Sequence, residues 1–294
     1  MEKKTPQKII FVINPISGGI DKERIGEQIR DFFQAPEYNL QIIFTEKSGN
    51  EEMIGKIIDK EQPDIMAVAG GDGTVNMVAG KLIDTDIPLG IIPAGSANGL
   101  ATELGIPKNI PGALKLISKG RLRQIDGIRI GDKYSFHLSD FGLNADVVKR
   151  FEEENIRGHL GYAKHFFKEL FSIKGSRYTV FSNDNKIRPK ATMLIIANAT
   201  KFGSGAVINP EGEIDDGYFE IIIVKSYKSR KLLGKVYKFL RGKVDHREFV
   251  DKIKTDKARI VNHKKKTLQI DGELAGRPEE IEAEIRKACI GIIC

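Results

Sequence analysis

Through the first hundred residues, short apolar runs give way to turns rich in glycine, asparagine or serine, and then to stretches of helical period. This alternation constrains the fold more than any other feature of the chain. Lys8–Asn14 (KIIFVIN) reads as a buried strand that enters the turn Asn14-Pro15-Ile16-Ser17-Gly18. A helix follows over Lys22–Phe33, with Ile25, Ile29, Phe32 and Phe33 on one side. Leu40–Phe44 is a second strand and Glu51–Asp59 a second helix. Asp64–Ala69 is a third strand ending at Gly70-Gly71-Asp72-Gly73, with a helix from about Thr74; Pro88–Ile92 and the turn Pro93-Ala94-Gly95-Ser96 complete the series. Strands alternating with helices imply a parallel α/β sheet with helices on both faces. Such sheets bind ligands outside the carboxyl ends of their strands.

From about Arg123 the pattern changes. Strand candidates dominate: Gln124–Ile130, Tyr134–Leu138, Arg177–Ser182, Thr192–Asn198, Gly217–Val224, Arg259–Val261, Thr267–Ile270 and Ile281–Ile285. Two helices interrupt them, around Gly158–Phe171 and Ser229–Arg241. This half reads as an antiparallel, sandwich-like β domain. At 294 residues, with domains of roughly 150 residues, two domains are expected. They are 1–123, an α/β domain, and 124–294, a β-sandwich whose last segment is free to return to the first, with a cleft between the halves.

Composition narrows the partners. A net charge of +7 favours anionic ones, such as nucleotides or acidic lipid surfaces. The absence of tryptophan and of any nucleic-acid-binding signature argues against nucleic acid. No apolar run reaches the roughly 18–20 residues of a membrane span, and no signal-peptide core precedes the first strand, so a cytoplasmic protein is expected. Cys289 and Cys294 form neither a disulfide framework nor a CxxC motif. The five histidines lack metal-ligand spacing. The helix expected around 231–241 places Leu232, Leu233, Val236, Phe239 and Leu240 opposite Lys231, Lys235, Lys238 and Arg241. That pattern favours a core helix with a solvated face over a helix resting on an anionic membrane.

The chemistry concentrates in the glycine turns. Gly70-Gly71-Asp72-Gly73-Thr74-Val75-Asn76 follows a strand and opens a helix, where glycines admit a phosphate and free N–H groups hold its charge. It is neither a P-loop nor the dinucleotide fingerprint, because GxxxxGK[ST] is missing and Asn76 stands where a third glycine would be. Asp72 beside phosphates calls for a Mg²⁺ between them or a role in orienting another group. Asn14, Ser17 and Gly18 close the first strand, and Gly95, Ser96 and Asn98 the fourth. Three such turns along one edge describe a nucleotide triphosphate site.

In this order and spacing, "NPISGG", "GGDGTVNMV" and "PAGSANGLA" resemble the diacylglycerol kinase catalytic domain, whose superfamily includes bacterial lipid kinases, sphingosine kinases and ceramide kinases. The likeness continues through "FGLNADVV", "NPEGEIDDGYFEI" and "IDGE". It implies a kinase that moves the γ-phosphoryl group of ATP, with Mg²⁺, to a lipid hydroxyl. Gly70 to Asn76 would hold the phosphates, and Thr45 and Ser96 would contact the nucleotide. The Asp216 carboxylate, with the backbone carbonyls of Glu213 and Tyr218, matches a Mg²⁺-binding loop; all-oxygen ligation suits that ion, and Asp215 leaves the register open by one residue. Glu273, in Asp271-Gly272-Glu273, matches the proton acceptor for the lipid hydroxyl. Asp126 matches a carboxylate of an Asp–Mg²⁺–water network and equally suits a turn residue before Gly127. The alternatives are an NAD kinase-like enzyme with a soluble acceptor, which shares "GGDG", and a non-catalytic nucleotide- or lipid-binding protein. A lipid substrate brings transient membrane contact with it. The oligomeric state, a homodimer included, stays open.

Overall fold

The computed structural model describes residues 6–15, 22–46, 48–142, 175–201, 207–225 and 250–294. Both expected helices of the second half, Ser17, and the "FGLNADVV" segment beyond Gly142 lie outside the described residues. The chain divides into two compact units, residues 1–126 with 287–294, and residues 127–286.

The first unit runs β1 (Gln7–Ile13), α1 (Lys22–Phe32), β2 (Tyr38–Phe44), α2 (Asn50–Glu61), β3 (Ile65–Gly70), α3 (Asp72–Leu82), β4 (Leu89–Pro93), α4 (Gly99–Glu103) and α5 (Ile110–Lys119). β1 pairs in parallel with both β2 and β3, and β3 with β4. The chain therefore steps from β1 to one side and then to the other, which makes the carboxyl ends of β1 and β3 the switch point where such sheets bind ligands. The central position of β1 follows from its sequence: Ile9 to Ile13 are all fully buried, as an unbroken apolar run demands of a strand covered on both faces. α1 contributes Ile25, Ile29 and Phe33 to that core, and α5 adds Ala113, Leu114 and Ile117. No expectation covers α5, although Asn109 caps it by accepting the Gly112 N–H at 2.8 Å, with Pro111 in its first turn.

The second unit is built from β5 (Leu122–Ile130), β6 (Lys133–Ser135), β7 (Leu138–Phe141), β8 (Ser176–Ser182), β9 (Asn185–Ile187), β10 (Lys190–Ala197), β11 (Phe219–Lys225), β12 (Val250–Thr255), β13 (Lys257–Asn262), β14 (Leu268–Ile270), β15 (Glu273–Leu274) and β16 (Glu280–Ile293). One sheet runs β12-β11-β10-β7-β14-β15 and a second β9-β8-β13-β16-β5-β6. They join at a corner where Lys190 and Ala191 pair with Arg177 and Ser176. Phe141, Leu194, Ile196, Phe219, Ile221 and Leu268 from the first sheet share one core with Ile128, Val180, Ile260, Ile281 and Ile285 from the second. This is the expected β-sandwich, with three further strands, β9, β12 and β15, and with the single strand expected over Tyr134–Leu138 divided into β6 and β7.

β16 contains its own change of environment. Glu280 to Ile285 alternate between solvent and core, as one face of an antiparallel strand should; Arg286, Lys287 and Ala288 are exposed, and Cys289 to Ile293 are buried. Its end joins the first unit's sheet in parallel, with Ile292 opposite Leu89. The change falls at Ala288, which takes a left-handed conformation (φ 46°) that alanine rarely adopts.

Candidate active site

In the first unit, the parallel strands bring Asn14, Thr45, Gly70 to Asn76 and Gly95 to Asn98 to one rim. Hydrogen bonds past the strand ends fix it: Asn14 N–H to Ala69 O (3.1 Å), Thr45 N–H to Ile13 O (2.9 Å) and Ala94 N–H to Gly70 O (2.9 Å). α3 starts directly at the rim. Its N-cap, Gly71, has extended backbone and makes no side-chain cap hydrogen bond, so the positive end of an 11-residue helix opens on this rim, where it favours an anion.

The glycines here have a specific steric cause. A Cβ on Gly95 would lie 2.4 Å from the Gly71 Cα, and one on Gly71 would lie 3.2 Å from the Gly95 Cα. The two turns touch backbone to backbone. A Cβ on Gly70 would meet the Thr74 side chain at 2.8 Å.

Two side chains expected at the nucleotide are engaged in the turns themselves. Asn98 accepts the Gly95 N–H and donates to the Gly95 carbonyl, both at 2.8 Å. Asn14 Nδ2 donates to Thr74 Oγ1 at 3.0 Å and ties β1 to α3. Ser96 is exposed and Thr45 is buried. Asp72, Gly73 and Asn76 are half-buried, and Val75 packs in the core.

Asp126 lies within β5, at the point where the chain passes from this unit to the second. Its carboxylate, 2% exposed, accepts the Ala288 N–H at 2.7 Å and so holds the left-handed residue of β16. The reading of Asp126 as a turn residue before Gly127 is corrected, because it lies inside a strand, and one oxygen of this buried carboxylate is committed to the backbone.

In the second unit the register brings the start of β11, the end of β10, the start of β7 and the end of β14 to the same end of one sheet. The Asp216 turn and the Asp271–Glu273 hairpin therefore share that end. Three strand spacings separate β11 from β14, about 14 Å. Asp271 and Gly272 are both left-handed (φ 44° and 93°) and link the paired residues Ile270 and Glu273. A two-residue Asp-Gly turn of this kind matches strand twist. Asp271 Oδ1 accepts Ser135 Oγ–H (2.7 Å), His137 N–H (3.1 Å) and Leu138 N–H (3.0 Å), and Oδ2 accepts Phe136 N–H (2.7 Å). These four bonds commit both oxygens of Asp271 to the chain around the hairpin, which suits a role in positioning the hairpin over the catalytic one suggested by its place in the Asp271-Gly272-Glu273 motif. Glu273 differs: its side chain is exposed and makes no hydrogen bond or ion pair among the described residues.

The Asp216 turn does not fit a resident Mg²⁺. Asp216 Oδ1 accepts the Tyr218 N–H at 2.9 Å and Oδ2 accepts Lys254 Nζ at 2.6 Å. That ammonium also lies 5.3 Å from the centre of the Tyr218 ring. Asp216 in turn holds the Lys254 ammonium above the usual lysine range. A divalent ion about 4 Å from it would meet repulsion on the order of 8 kcal/mol at an effective dielectric of about 20. Glu213 is exposed beside this pair.

Beneath the turn lies a polar network that the sequence reading missed. Asn209, fully buried, donates to Glu220 Oε2 at 2.7 Å, and Lys252 bonds Glu211 at 2.8 Å. Burial pushes the Glu220 carboxyl up, against the hydrogen bond from Asn209. The alternation of Lys252, Ile253 and Lys254 was the available signal for β12.

The comparisons agree with this architecture. A family model of the diacylglycerol kinase catalytic domain matches residues 8–130, and one of the YegS C-terminal NAD kinase beta sandwich-like domain matches residues 139–294. An uncharacterised protein of Synechocystis sp. is 28% identical across 92% of this chain and 67% of its own length. A diacylglycerol kinase of Staphylococcus aureus is 27% identical across 91% of this chain and 86% of its own. A crystal structure of a diacylglycerol kinase from Bacillus anthracis shares the fold, with a TM-score of 0.77 at 21% identity, covering 99% of this chain and 98% of that one. A β1-centred parallel sheet with a glycine-lined rim, followed by a β-sandwich, thus identifies the chain as a member of the kinase family that joins a diacylglycerol kinase catalytic domain to a YegS-type C-terminal domain.

Proposed function

We propose that this kinase transfers the γ-phosphoryl group of ATP, presented as its Mg²⁺ complex, to the hydroxyl of a lipid: a diacylglycerol, a sphingoid base or a related acceptor. The observation that carries the reading is the rim of the first unit, where two glycine turns in backbone contact leave the start of α3 without a side-chain cap. Gly70 to Asn76 receive the phosphates, Gly95 and Ser96 flank them, and Thr45 and Ser17 contact the nucleotide. Asp72 is the acidic group suited to the cation that accompanies the triphosphate. Residues 1–123 form the nucleotide domain in this reading and 124–294 the lipid-substrate domain, whose last segment returns to the first.

Glu273 takes the proton of the acceptor hydroxyl as its oxygen bonds to phosphorus, while ADP leaves with the former bridging oxygen. Its exposed carboxylate, unpaired among the described residues, is supported on a hairpin that Asp271 fixes. Because phosphoryl transfer passes through a loose transition state, positioning contributes more than base strength; the base adds about 10²–10⁴-fold. Working on a bilayer-borne acceptor entails transient contact with a membrane surface, at the inner face for a cytoplasmic enzyme. No helix among the described residues is long and apolar enough to cross a membrane.

The second reading is phosphorylation of a soluble acceptor such as NAD, favoured by the NAD kinase likeness of the C-terminal domain. Radiolabelled ATP offered with diacylglycerol, a sphingoid base and NAD decides between them. Label in an organic-extractable product is expected; label in NAD alone would establish the second reading, and label in none would leave a binding protein.

A further inference from the structure

We infer that the Lys254 ammonium stands where the family resemblance puts a divalent cation, so that the Asp216-Gly217-Tyr218 turn of this protein is built by a side chain instead of a metal. Three independent features of the second unit place it there. Strand register comes first: β12 pairs with β11 so that Lys254 sits directly opposite Glu220, two residues beyond the turn. The ammonium is thus delivered by the sheet and not by a free loop. Second, both oxygens of Asp216 are engaged, one by Lys254 and the other by the turn's own Tyr218 N–H, and the Asp216 side chain is only 16% exposed. Third, the Tyr218 ring receives the same ammonium from its face, an attraction specific to a cation. Together they give Lys254 a carboxylate, an aromatic face and a fixed approach.

A lysine here changes what the loop responds to. A metal-built turn loosens under a chelator and reforms with the ion, because ion binding is coupled to loop order. A lysine-built turn is indifferent to both. The metal requirement of catalysis then reduces to that of the triphosphate, about 14 Å or more of sheet being enough to keep Asp216 from sharing an ion with the Glu273 hairpin.

The test uses the full chain without nucleotide, so it is independent of whether the acceptor is a lipid. Mn²⁺ binding is followed by loss of the free-ion electron paramagnetic resonance signal in the wild type, Lys254→Met, Asp216→Asn and the double variant. Methionine keeps an apolar stem over Tyr218 and removes the charge. The wild type and Asp216→Asn are expected to bind Mn²⁺ identically. Lys254→Met should gain one ion bound at least tenfold more tightly, and Asp216→Asn added to it should abolish the gain. Ions held elsewhere are common to all four proteins and cancel. A wild-type ion lost in Asp216→Asn overturns the inference. So does a folded Lys254→Met protein, with a wild-type circular dichroism spectrum, that gains no Asp216-dependent ion.

Discussion

Replacing Asp271 with asparagine separates a structural carboxylate from a catalytic one. The substitution keeps the size and tolerates the left-handed backbone of the turn, so strain does not enter. An amide has one accepting oxygen. With that oxygen toward Ser135, His137 and Leu138, the NH₂ faces the Phe136 N–H, donor against donor, where the carboxylate accepted at 2.7 Å. The opposite orientation forfeits three bonds. A hydrogen bond to a charged group contributes about 1.5–3 kcal/mol, and a buried donor left unmatched costs about 1–3 kcal/mol. The better orientation therefore costs about 3 kcal/mol. Urea denaturation of Asp271→Asn beside Glu273→Gln measures it: the first should lose about 3 kcal/mol, and the second, exposed and unpaired, less than about 0.5 kcal/mol. Turnover should fall steeply in Glu273→Gln with ATP binding intact. If Asp271→Asn matched the wild type in stability yet lost turnover, the assignment of Asp271 as a positioning residue would be refuted.

Gly95→Ala should abolish ATP binding and lower stability by about 1–3 kcal/mol, as overpacking does, because its Cβ meets the Gly71 backbone at 2.4 Å. Gly71→Ala, at 3.2 Å, should do less; isothermal titration with ATP and thermal melts read both. Gly55→Ala, in the interior of α2 with nothing within 4 Å of the added carbon, should stabilise the protein by about 0.5–1 kcal/mol on helix propensity alone. Asp126→Ala, which strands the Ala288 N–H, should cost about 1–3 kcal/mol by the same denaturation assay. Glu220 binds its proton more tightly folded than unfolded, so its contribution is greatest below the usual glutamate range and is lost as pH rises through the raised folded value. Stability measured against pH should fall less over that window in Glu220→Gln than in the wild type.

The parallel sheet was legible because β1, β3 and β4 are buried on both faces and announce it by unbroken apolar runs. The sandwich strands were legible by alternation, except the short β9 and β15 and also β12, whose sequence VDKIKT alternates over Lys252, Ile253 and Lys254 but buries little besides Thr255. Site chemistry was less accessible. The sequence presents Asp271 and Glu273 as equivalent acids two residues apart. Only the chain reversal that brings residues 135–138, more than 130 positions away, onto Asp271 separates them. Lys254 was likewise silent, because its partner is set by the register of a strand the sequence did not declare. The glycines of the rim were noticed for what they admit; their contact with one another needed coordinates.

The return of β16 has a consequence for synthesis. Residues 1–126 leave the ribosome early, yet the strand beside β4 comes from residues 287–294. The intervening 160 residues take on the order of 10–30 s to translate. Through that interval the nascent nucleotide unit carries an open flank at β4, a template for wrong pairing. Its sheet is begun before the second unit is made and completed only after it.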